Sequence, residues 1–220
     1  MKTYKALSLL LSYPEPEWLA ELDEVEGALT AEVERNEDAA GVLAPLFAML
    51  RSEGIITLQE SYVATFDRNP RHSLHLFEHI HGESRERGPA MLDLQSEYAR
   101  CGLTVRAGEL PDYVPLFLEY LSLISEQEAA AQLADAVHVL AHIGRKLGTN
   151  TSPYAHVFNV LERLSPVAAE PLLEPPVRDM DAMLANEGPL ADGSEPLLVP
   201  RAQVAYVDPP RSRRRPAGAH

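Results

Sequence analysis

Residues 112–148 read DYVPLFLEYLSLISEQEAAAQLADAVHVLAHIGRKLG and contain the clearest structural signal of the chain. Their apolar residues recur at spacings of three and four, which is the period of an α-helix buried along one face. Asp112 stands in the position of an N-cap for a helix over 113–124, and Pro115 falls in its first turn, where proline is tolerated. Ser125 and Glu128 have the capping-box spacing, so a second, longer helix is predicted to end near Gly148.

The same period continues outward through the first 165 residues, and no segment alternates convincingly with a period of two. Three further helices are predicted before residue 52: a short one around Leu7–Leu11 ended by Pro14 and Pro16, one over 18–33, and one over 38–51 with Pro45 as a kink or boundary and Gly54 as its stop. Two more follow: one over 58–66 capped by Thr57 with Glu60, and one from Ser84 to Cys101 that carries Met91, Leu94 and Tyr98 at helical spacing and is stopped by Gly102. Ser152 and Pro153 begin the last predicted helix. The one β-like patch is 103–107. The predicted fold class is all-α, a globular bundle of about eight or nine helices, because no solenoid period recurs.

The last 55 residues, 166–220, differ from the rest: they hold 10 of the 18 prolines, few large apolar residues and an RSRRR run at 211–215. Such a composition buries too little apolar surface to offset the entropy of ordering the chain. We therefore predict a helical domain over 1–165 and a mostly disordered tail over 166–220.

The formal charge is −14, and residues 1–60 alone carry 4 Lys/Arg against 12 Asp/Glu, a balance of −8. An acidic field repels phosphate backbones and attracts basic partners, so nucleic acid is a poor partner and a basic peptide a better one. The alternative interpretation is a solvated acidic surface that keeps the protein soluble.

Compartment is predicted from two further features. The single cysteine, Cys101, excludes an intrachain disulfide, a zinc site of several thiolates and a cysteine-held iron–sulfur cluster, and it fits a reducing compartment. The apolar run Ala6–Leu11 is too short for a signal peptide, and no run approaches the ~18–20 apolar residues of a membrane-spanning helix. We expect a cytoplasmic protein without direct membrane insertion.

Four of the eight histidines lie in residues 66–94, FDRNPRHSLHLFEHIHGESRERGPAMLDL. His72, His75 and His79 have the i, i+3, i+7 spacing of one helical face, so one alternative is a metal-dependent hydrolase using these imidazoles. The His-Glu-x-x-His pattern of metalloproteases is absent, and nothing fixes a general base. A second alternative is that Leu74, Phe77 and Ile80 form a buried face and the histidines are partly exposed helix surface or satisfied boundary groups. A recognition surface explains the density of polar groups better than either alternative. A further hypothesis is that protonation of His75, His79 and His81 switches this surface between two conformations as the pH changes.

Other catalytic sites have no sequence support. No Gly-x-Ser-x-Gly surrounds Ser84, and no glycine-rich phosphate loop occurs. We therefore predict a binding protein rather than an enzyme, without a cofactor of its own.

Five segments, in this order, carry a resemblance: YVATFD (62–67), LHLFEH (74–79), HGESR (81–85), RGPAM (87–91) and ELPDY (109–113). With the residues around them, roughly 3–165, they resemble the NarJ family, the delta subunits of respiratory nitrate reductase. The resemblance implies a non-catalytic chaperone that binds the N-terminal segment of the reductase's catalytic (alpha) subunit and holds that subunit for molybdenum cofactor insertion before membrane docking. A chaperone of the same broad group that serves another molybdoenzyme is the remaining alternative.

A basic amphipathic peptide would lay its apolar side in a groove with an acidic rim. We expect the groove to form between Leu116, Phe117 and Tyr120 on one side and Phe77 and Tyr62 on the other. Its acidic rim is predicted to consist of Asp67, Glu78, Glu83, Asp112 and Glu119. The complete predicted peptide-binding set is Tyr62, Asp67, Phe77, Glu78, His79, His81, Glu83, Arg85, Asp112, Tyr113, Leu116, Phe117, Glu119 and Tyr120. Simple core packing is the alternative role of its apolar members.

Overall fold

The structure, a computed structural model, describes residues 2–30, 39–81, 85–106 and 108–172. Within these ranges it has α1 (Lys2–Leu10), α2 (Pro16–Leu19), α3 (Leu22–Thr30), α4 (Ala39–Ser52), α5 (Ile55–Tyr62), α6 (Leu76–His81), α7 (Arg87–Arg100), α8 (Val114–Leu123), α9 (Glu126–Thr149) and α10 (Ala155–Leu164). A π-helical turn, Val63–Asp67, continues α5, and a 3-10 turn, Pro70–His72, follows it. No strand occurs in the described ranges, where the β-contact is one antiparallel bridge between His75 and Tyr113. The all-α prediction is confirmed.

α8 lies in the centre of the bundle. Its residues from Val114 through Leu121 are all buried, because neighbouring helices cover an apolar sequence on several sides. α1 packs along α8, and the Ser8 hydroxyl donates to the Pro115 carbonyl at 2.7 Å. The buried side chains of these helices belong to one continuous hydrophobic core.

α9 is the longest helix in the described ranges, and it packs against α10, α8 and α6. Its contact with α10 is close at Gly144, where an added Cβ would lie 2.6 Å from the Phe158 Cβ. The predicted capping box begins this helix: the Ser125 hydroxyl accepts from the Glu128 N–H at 3.3 Å, and the Glu128 carboxylate accepts from the Ser125 N–H at 3.1 Å. That prediction is confirmed.

α7 ends as predicted at Gly102, whose φ of +78° is the left-handed conformation that glycine adopts without strain. The Leu103 N–H donates to the Tyr98 carbonyl and the Gly102 N–H to the Ala99 carbonyl, both at 3.0 Å. These two bonds form a Schellman motif, and Tyr98 and Leu103 supply the buried apolar pair that accompanies it.

Three predicted helix starts are wrong. α8 begins after Tyr113 without a side-chain cap, because the Asp112 carboxylate bonds elsewhere. α5 begins after Gly54, whose carbonyl already accepts the Leu58 N–H at 3.0 Å, so Thr57 lies inside the helix rather than capping it. α10 begins only at Ala155, because Ser152 and the residues after it form a turn first.

The helix predicted over 18–33 is divided in two. The Trp18 indole is buried and donates to the Tyr13 carbonyl at 2.9 Å, and the Glu21 N–H bonds the Trp18 carbonyl three residues back. This tighter turn ends α2, and α3 then begins at Leu22. By contrast, Pro45 lies within α4 rather than ending it.

Some predictions fall on residues outside the described ranges: the Ser84 helix start, the rim residue Glu83, residues 31–33 of the second predicted helix and 173–220 of the tail. Of the described helices, none is both long and apolar enough to cross a lipid bilayer.

Candidate functional site

Asp112 holds the beginning of α6 in place. It is fully buried, and its Oδ2 accepts the Phe77 N–H at 3.0 Å while its carbonyl accepts the Leu76 N–H at 3.0 Å. The first N–H groups of a helix have no partner within the helix, so these bonds cap α6 from a segment 35 residues away in sequence. Asp112 was predicted to lie at an exposed rim, and that prediction is wrong because the carboxylate is a buried structural acceptor.

His75 and Tyr113 form the bridge between residues 74–77 at the start of α6 and residues 112–114 at the start of α8. The Val114 N–H donates to the Leu74 carbonyl at 2.8 Å, and the His75 Nδ1 lies 3.3 Å from the Asp112 Oδ1. The His75 and Tyr113 rings are tilted against each other with centroids 5.5 Å apart. Residues 74–77 are therefore fixed against residues 112–114.

His72 links the π-helical turn to the end of α9. Its Nδ1–H donates to the Thr65 carbonyl at 3.0 Å, and its Nε2 accepts from the Asn150 side-chain amide at 3.1 Å. Both ring nitrogens are engaged in a buried place, and this burial lowers the pKa of His72 below its usual value. The ring is thus a neutral structural connector.

His79 occupies the opposite end of this segment, on α6. Its Nε2–H donates to the Ser73 carbonyl at 2.9 Å, and its ring packs edge-on against His142 of α9 with centroids 5.8 Å apart. Burial lowers the pKa of His79 as well. The Ser73 hydroxyl in turn donates to Glu78, which pairs with Arg87 at 3.3 Å.

The predicted single helical face of His72, His75 and His79 does not exist. His72 ends the 3-10 turn, His75 lies in the bridge, and only His79 is on α6. Their nitrogens bond to carbonyls, an amide and a carboxylate instead of converging on one point. In the described ranges, no group of three or more metal-binding side chains is arranged to hold an ion, so the geometry does not support the metal-dependent hydrolase.

The predicted groove residues Tyr62 and Tyr113 lie in a buried aromatic cluster. Their hydroxyls are 3.1 Å apart, and the Tyr62 hydroxyl donates to the Leu11 carbonyl at 2.9 Å. The Tyr62 ring contacts Phe66, Tyr13 and Tyr154. Burial raises the pKa of the Tyr113 phenol to about 12, so both hydroxyls stay protonated at any physiological pH.

The α8 members of the predicted groove are also buried. Leu116, Phe117 and Tyr120 belong to the hydrophobic core, and Glu119 is 7% exposed and paired with Lys5 of α1. An open groove lined by these side chains is therefore absent from this conformation. Core packing, the alternative interpretation, describes them here, and the rim position expected for Glu119 is wrong because α1 covers it.

The remaining predicted residues are more accessible. Asp67, Glu78 and Arg85 are exposed, and Phe77, His79 and His81 are half-buried. The Phe77 and His81 rings meet edge-on at 5.5 Å. The structure thus brings together Phe77, Glu78, His79 and His81 on α6. It does not place them beside an open groove, because the predicted α8 side chains are buried.

Two features were not predicted. A concave pocket of about 510 Å³ lies beside α5 and the π-helical turn, and it is lined by Tyr13, Ile56, Gln59, Glu60, Val63, Ala64 and Arg68.

The second feature is Tyr98 of α7, which is completely buried and whose hydroxyl donates to the Pro111 carbonyl at 2.8 Å. The helical spacing of Met91, Leu94 and Tyr98 predicted which side of α7 faces inward. It could not show that Tyr98 alone of these three side chains is fully buried.

Comparisons with known proteins agree with the resemblance read from the motifs. The family described as "Nitrate reductase delta subunit" matches residues 32–159. The chain is 37% identical over 164 residues to the "Nitrate reductase molybdenum cofactor assembly chaperone NarJ" of Escherichia coli (strain K12), an alignment that covers 74% of this chain and 70% of that protein.

A second relative comes from Bacillus subtilis (strain 168) and is named "Probable nitrate reductase molybdenum cofactor assembly chaperone NarJ". The two are 35% identical over 159 residues, or 72% of this chain and 85% of the relative. The family match covers more than half of the sequence and includes the His72–His81 segment, Asp112 and all of α8 and α9. The chain therefore belongs to the nitrate reductase delta subunit family.

Proposed function

We propose that this protein is an assembly chaperone of respiratory nitrate reductase. It assists molybdenum cofactor insertion into the catalytic subunit and keeps that subunit from docking on the membrane until it is complete. The observation that carries the proposal is the family match over residues 32–159, together with relatives of 35–37% identity that are named for this role. The protein acts by binding and not by catalysis, and its place of action is the cytoplasm.

The partner contact in this proposal is the basic N-terminal segment of the catalytic subunit. Residues 1–172 carry 13 Lys/Arg against 26 Asp/Glu, so the body of the chaperone attracts a basic segment over distances of several ångströms. A helical segment with an apolar side and a basic side suits an all-α host.

The predicted peptide-binding residues enter the proposal in the positions that the structure gives them. Asp67, Glu78 and Arg85 are available as polar contacts at the surface, and Phe77, His79 and His81 are partly available beside them. Leu116, Phe117 and Tyr120 contribute only where the protein uncovers them. Tyr62, Tyr113, Asp112 and Glu119 support the site from within.

The proposal is tested by measuring molybdenum per reductase. Reductase would be purified from cells that lack this chain and from cells in which it is restored, and molybdenum and iron would be determined by elemental analysis. We expect molybdenum well below one atom per catalytic subunit without the chain and close to one with it. Equal molybdenum in both preparations would contradict the proposed function.

A further inference from the structure

α7 is weakly held to the rest of the protein. It has 14 residues, and Tyr98 is its buried one; Met91 and Leu94 on the same side are only half-buried, and Leu92 is 64% exposed. Among the described elements, none packs extensively against α7. A helix gains most of its stability in a protein from burying its apolar side, so α7 is stabilised far less than α8 or α9.

The main anchor of α7 rests on the predicted groove. The Tyr98 ring contacts Tyr120 with centroids 4.9 Å apart, and Tyr120 in turn contacts Phe117 at 6.5 Å. The Tyr98 hydroxyl bonds to Pro111, directly before the buried Asp112. Tyr98 therefore covers Tyr120, which contacts Phe117 on α8, and the sequence placed both of these α8 residues in the peptide groove.

A partly exposed ion pair and positive-φ glycines lie at the two ends of α7. At its first residue, Arg87 meets Glu78 at 3.3 Å, a contact between partly exposed groups that adds little stability. At its other end, Gly102 follows α7 directly and Gly108 lies between α7 and α8, and both have positive φ. The ion pair between Glu97 and Arg100 lies within α7 and stays intact when α7 moves.

The groups near this side of α8 favour a cationic partner. Glu128 lies near Tyr120, and Glu109 lies shortly before α8, whereas Glu119 is on the α1 side and pairs with Lys5. The ion pair of Arg100 and Glu97, also close to Tyr120, belongs to α7 and leaves with it, so its departure does not change the net charge around Tyr120. An uncovered α8 surface is therefore apolar in the middle with carboxylates around it.

We propose that the α8 surface beneath Tyr98, carrying Phe117 and Tyr120, is the docking surface for the partner's basic amphipathic helix, and that this helix displaces α7. A large apolar side chain of the partner takes the place of the Tyr98 ring against Tyr120, and its basic residues meet the surrounding carboxylates. This inference rests on the proposed function and adds the surface and the element that gives way. Free chaperone then binds with an affinity reduced by the small fraction of molecules in which α7 is open.

The test uses the full chain and a synthetic peptide with the sequence of the catalytic subunit's N-terminal segment. Tyr98→Phe keeps the ring but removes the hydroxyl that bonds Pro111, so it weakens the cover without emptying the core. We expect the peptide Kd, measured by calorimetry, to become about fivefold tighter, because losing one hydrogen bond raises the open fraction by about that factor. Leu92→Ala, on the exposed side of the same helix, is the matched control and leaves Kd unchanged within twofold.

Amide hydrogen exchange gives an independent readout. In the free protein, the amides of α7 exchange faster than those of α8 and α9, and added peptide increases exchange in α7 while α8 stays protected. A Kd that is unchanged or weaker in Tyr98→Phe, or peptide that protects α7, would overturn the docking inference while leaving the chaperone function intact. If the peptide binds neither wild type nor variant, the docking inference fails together with the peptide contact of the proposed function.

Discussion

Asp112 shows how one side chain can organise a site without being exposed in it. Its carboxylate and carbonyl together satisfy the first two N–H groups of α6, and its second oxygen approaches His75. Because all of these groups are buried or half-buried, none can exchange its bond for water without cost. The orientation of α6 relative to α8 thus depends on this residue.

Asp112→Ala tests that dependence. The variant leaves the Phe77 N–H without its acceptor, and we expect the free energy of unfolding to fall by about 2–4 kcal/mol. Urea unfolding followed by circular dichroism measures the change. Asp135→Ala, at an exposed position of α9, is the control and should change stability by less than about 0.5 kcal/mol. A loss at Asp112 no larger than that at Asp135 would contradict the capping role.

The buried histidines predict a pH dependence of stability. Burial holds the pKa of His72 and His79 below the 6.5 of an exposed imidazole. Below pH 6.5 the unfolded chain therefore binds protons that the folded chain refuses, so this contribution to stability is complete above pH 6.5 and is lost as the pH falls. His72→Gln removes one such group and should reduce the loss of unfolding free energy between pH 7.5 and pH 5.5. His156→Gln, at a half-buried position on α10, serves as control. Identical pH slopes in wild type and His72→Gln would show that His72 does not contribute.

At the scale of residues, the sequence drew attention to residues that make long-range contacts in the structure, but it did not show what those contacts are. The density of histidines around 72–81 and the aspartate at 112 marked a site, but local spacing could not show that Asp112 caps a helix far away in sequence. The i, i+3, i+7 spacing of His72, His75 and His79 assumed a continuous helix. Asn69 and Pro70 instead begin a separate 3-10 turn, with the Asn69 side chain accepting the Arg71 N–H at 3.1 Å.

Among the helices, the contact between α9 and α10 offers a precise test. Gly144→Ala places a Cβ 2.6 Å from the Phe158 Cβ, a distance that forces the two helices apart. We expect a loss of about 1–3 kcal/mol in the free energy of unfolding, as for other overpacked cores. Gly148→Ala, in the same helix with no neighbour within 4 Å of the added Cβ, should be neutral or stabilising by up to about 1 kcal/mol. Thermal unfolding of both variants measures the change in stability. Equal changes in Gly144→Ala and Gly148→Ala would contradict the close contact between α9 and α10.

Helix boundaries were predictable where the chain carries its own signal. The Ser125 and Glu128 box and the Gly102 turn are local motifs, complete within a few residues, and both were predicted correctly. The starts of α5, α8 and α10 are fixed by backbone bonds and tertiary contacts, so their side chains gave false signals at Thr57, Asp112 and Ser152. The helical spacing of the apolar residues in α7 was also visible in the sequence. The weak packing of α7 was not, because it depends on how the other helices are placed around it.

For the whole molecule, the acidic charge predicts how the partner arrives. With a formal charge of −14, the chaperone accelerates the approach of a basic peptide, and salt screens that attraction. We expect the association rate constant of the catalytic subunit's N-terminal peptide to fall about tenfold or more between 20 and 500 mM NaCl, while the dissociation rate changes much less. Stopped-flow fluorescence with a labelled peptide measures both rates. An association rate that is independent of salt would rule out steering by the acidic surface.

The all-α architecture follows from the helical period and was predictable as a whole, and the family follows from motifs within it. The accessible surface was not predictable, because a helix that is buried on all sides and a helix that borders a groove have the same apolar sequence. α8 is the clear case: Leu116, Phe117 and Tyr120 were expected to face a groove, and the structure covers them. Whether α8 is a buried helix or the wall of a groove is decided only by how α1, α7 and α9 are placed around it.

Co-purification with the reductase tests the proposed role most directly. The full chain, carrying an affinity tag, would be expressed with the catalytic subunit and, in parallel, with the same subunit lacking its N-terminal segment. We predict that the intact catalytic subunit is recovered with the chaperone in stoichiometric amounts and that the truncated subunit is lost. Recovery of the truncated subunit at the same level would show that the N-terminal segment is not the contact on which this chaperone depends.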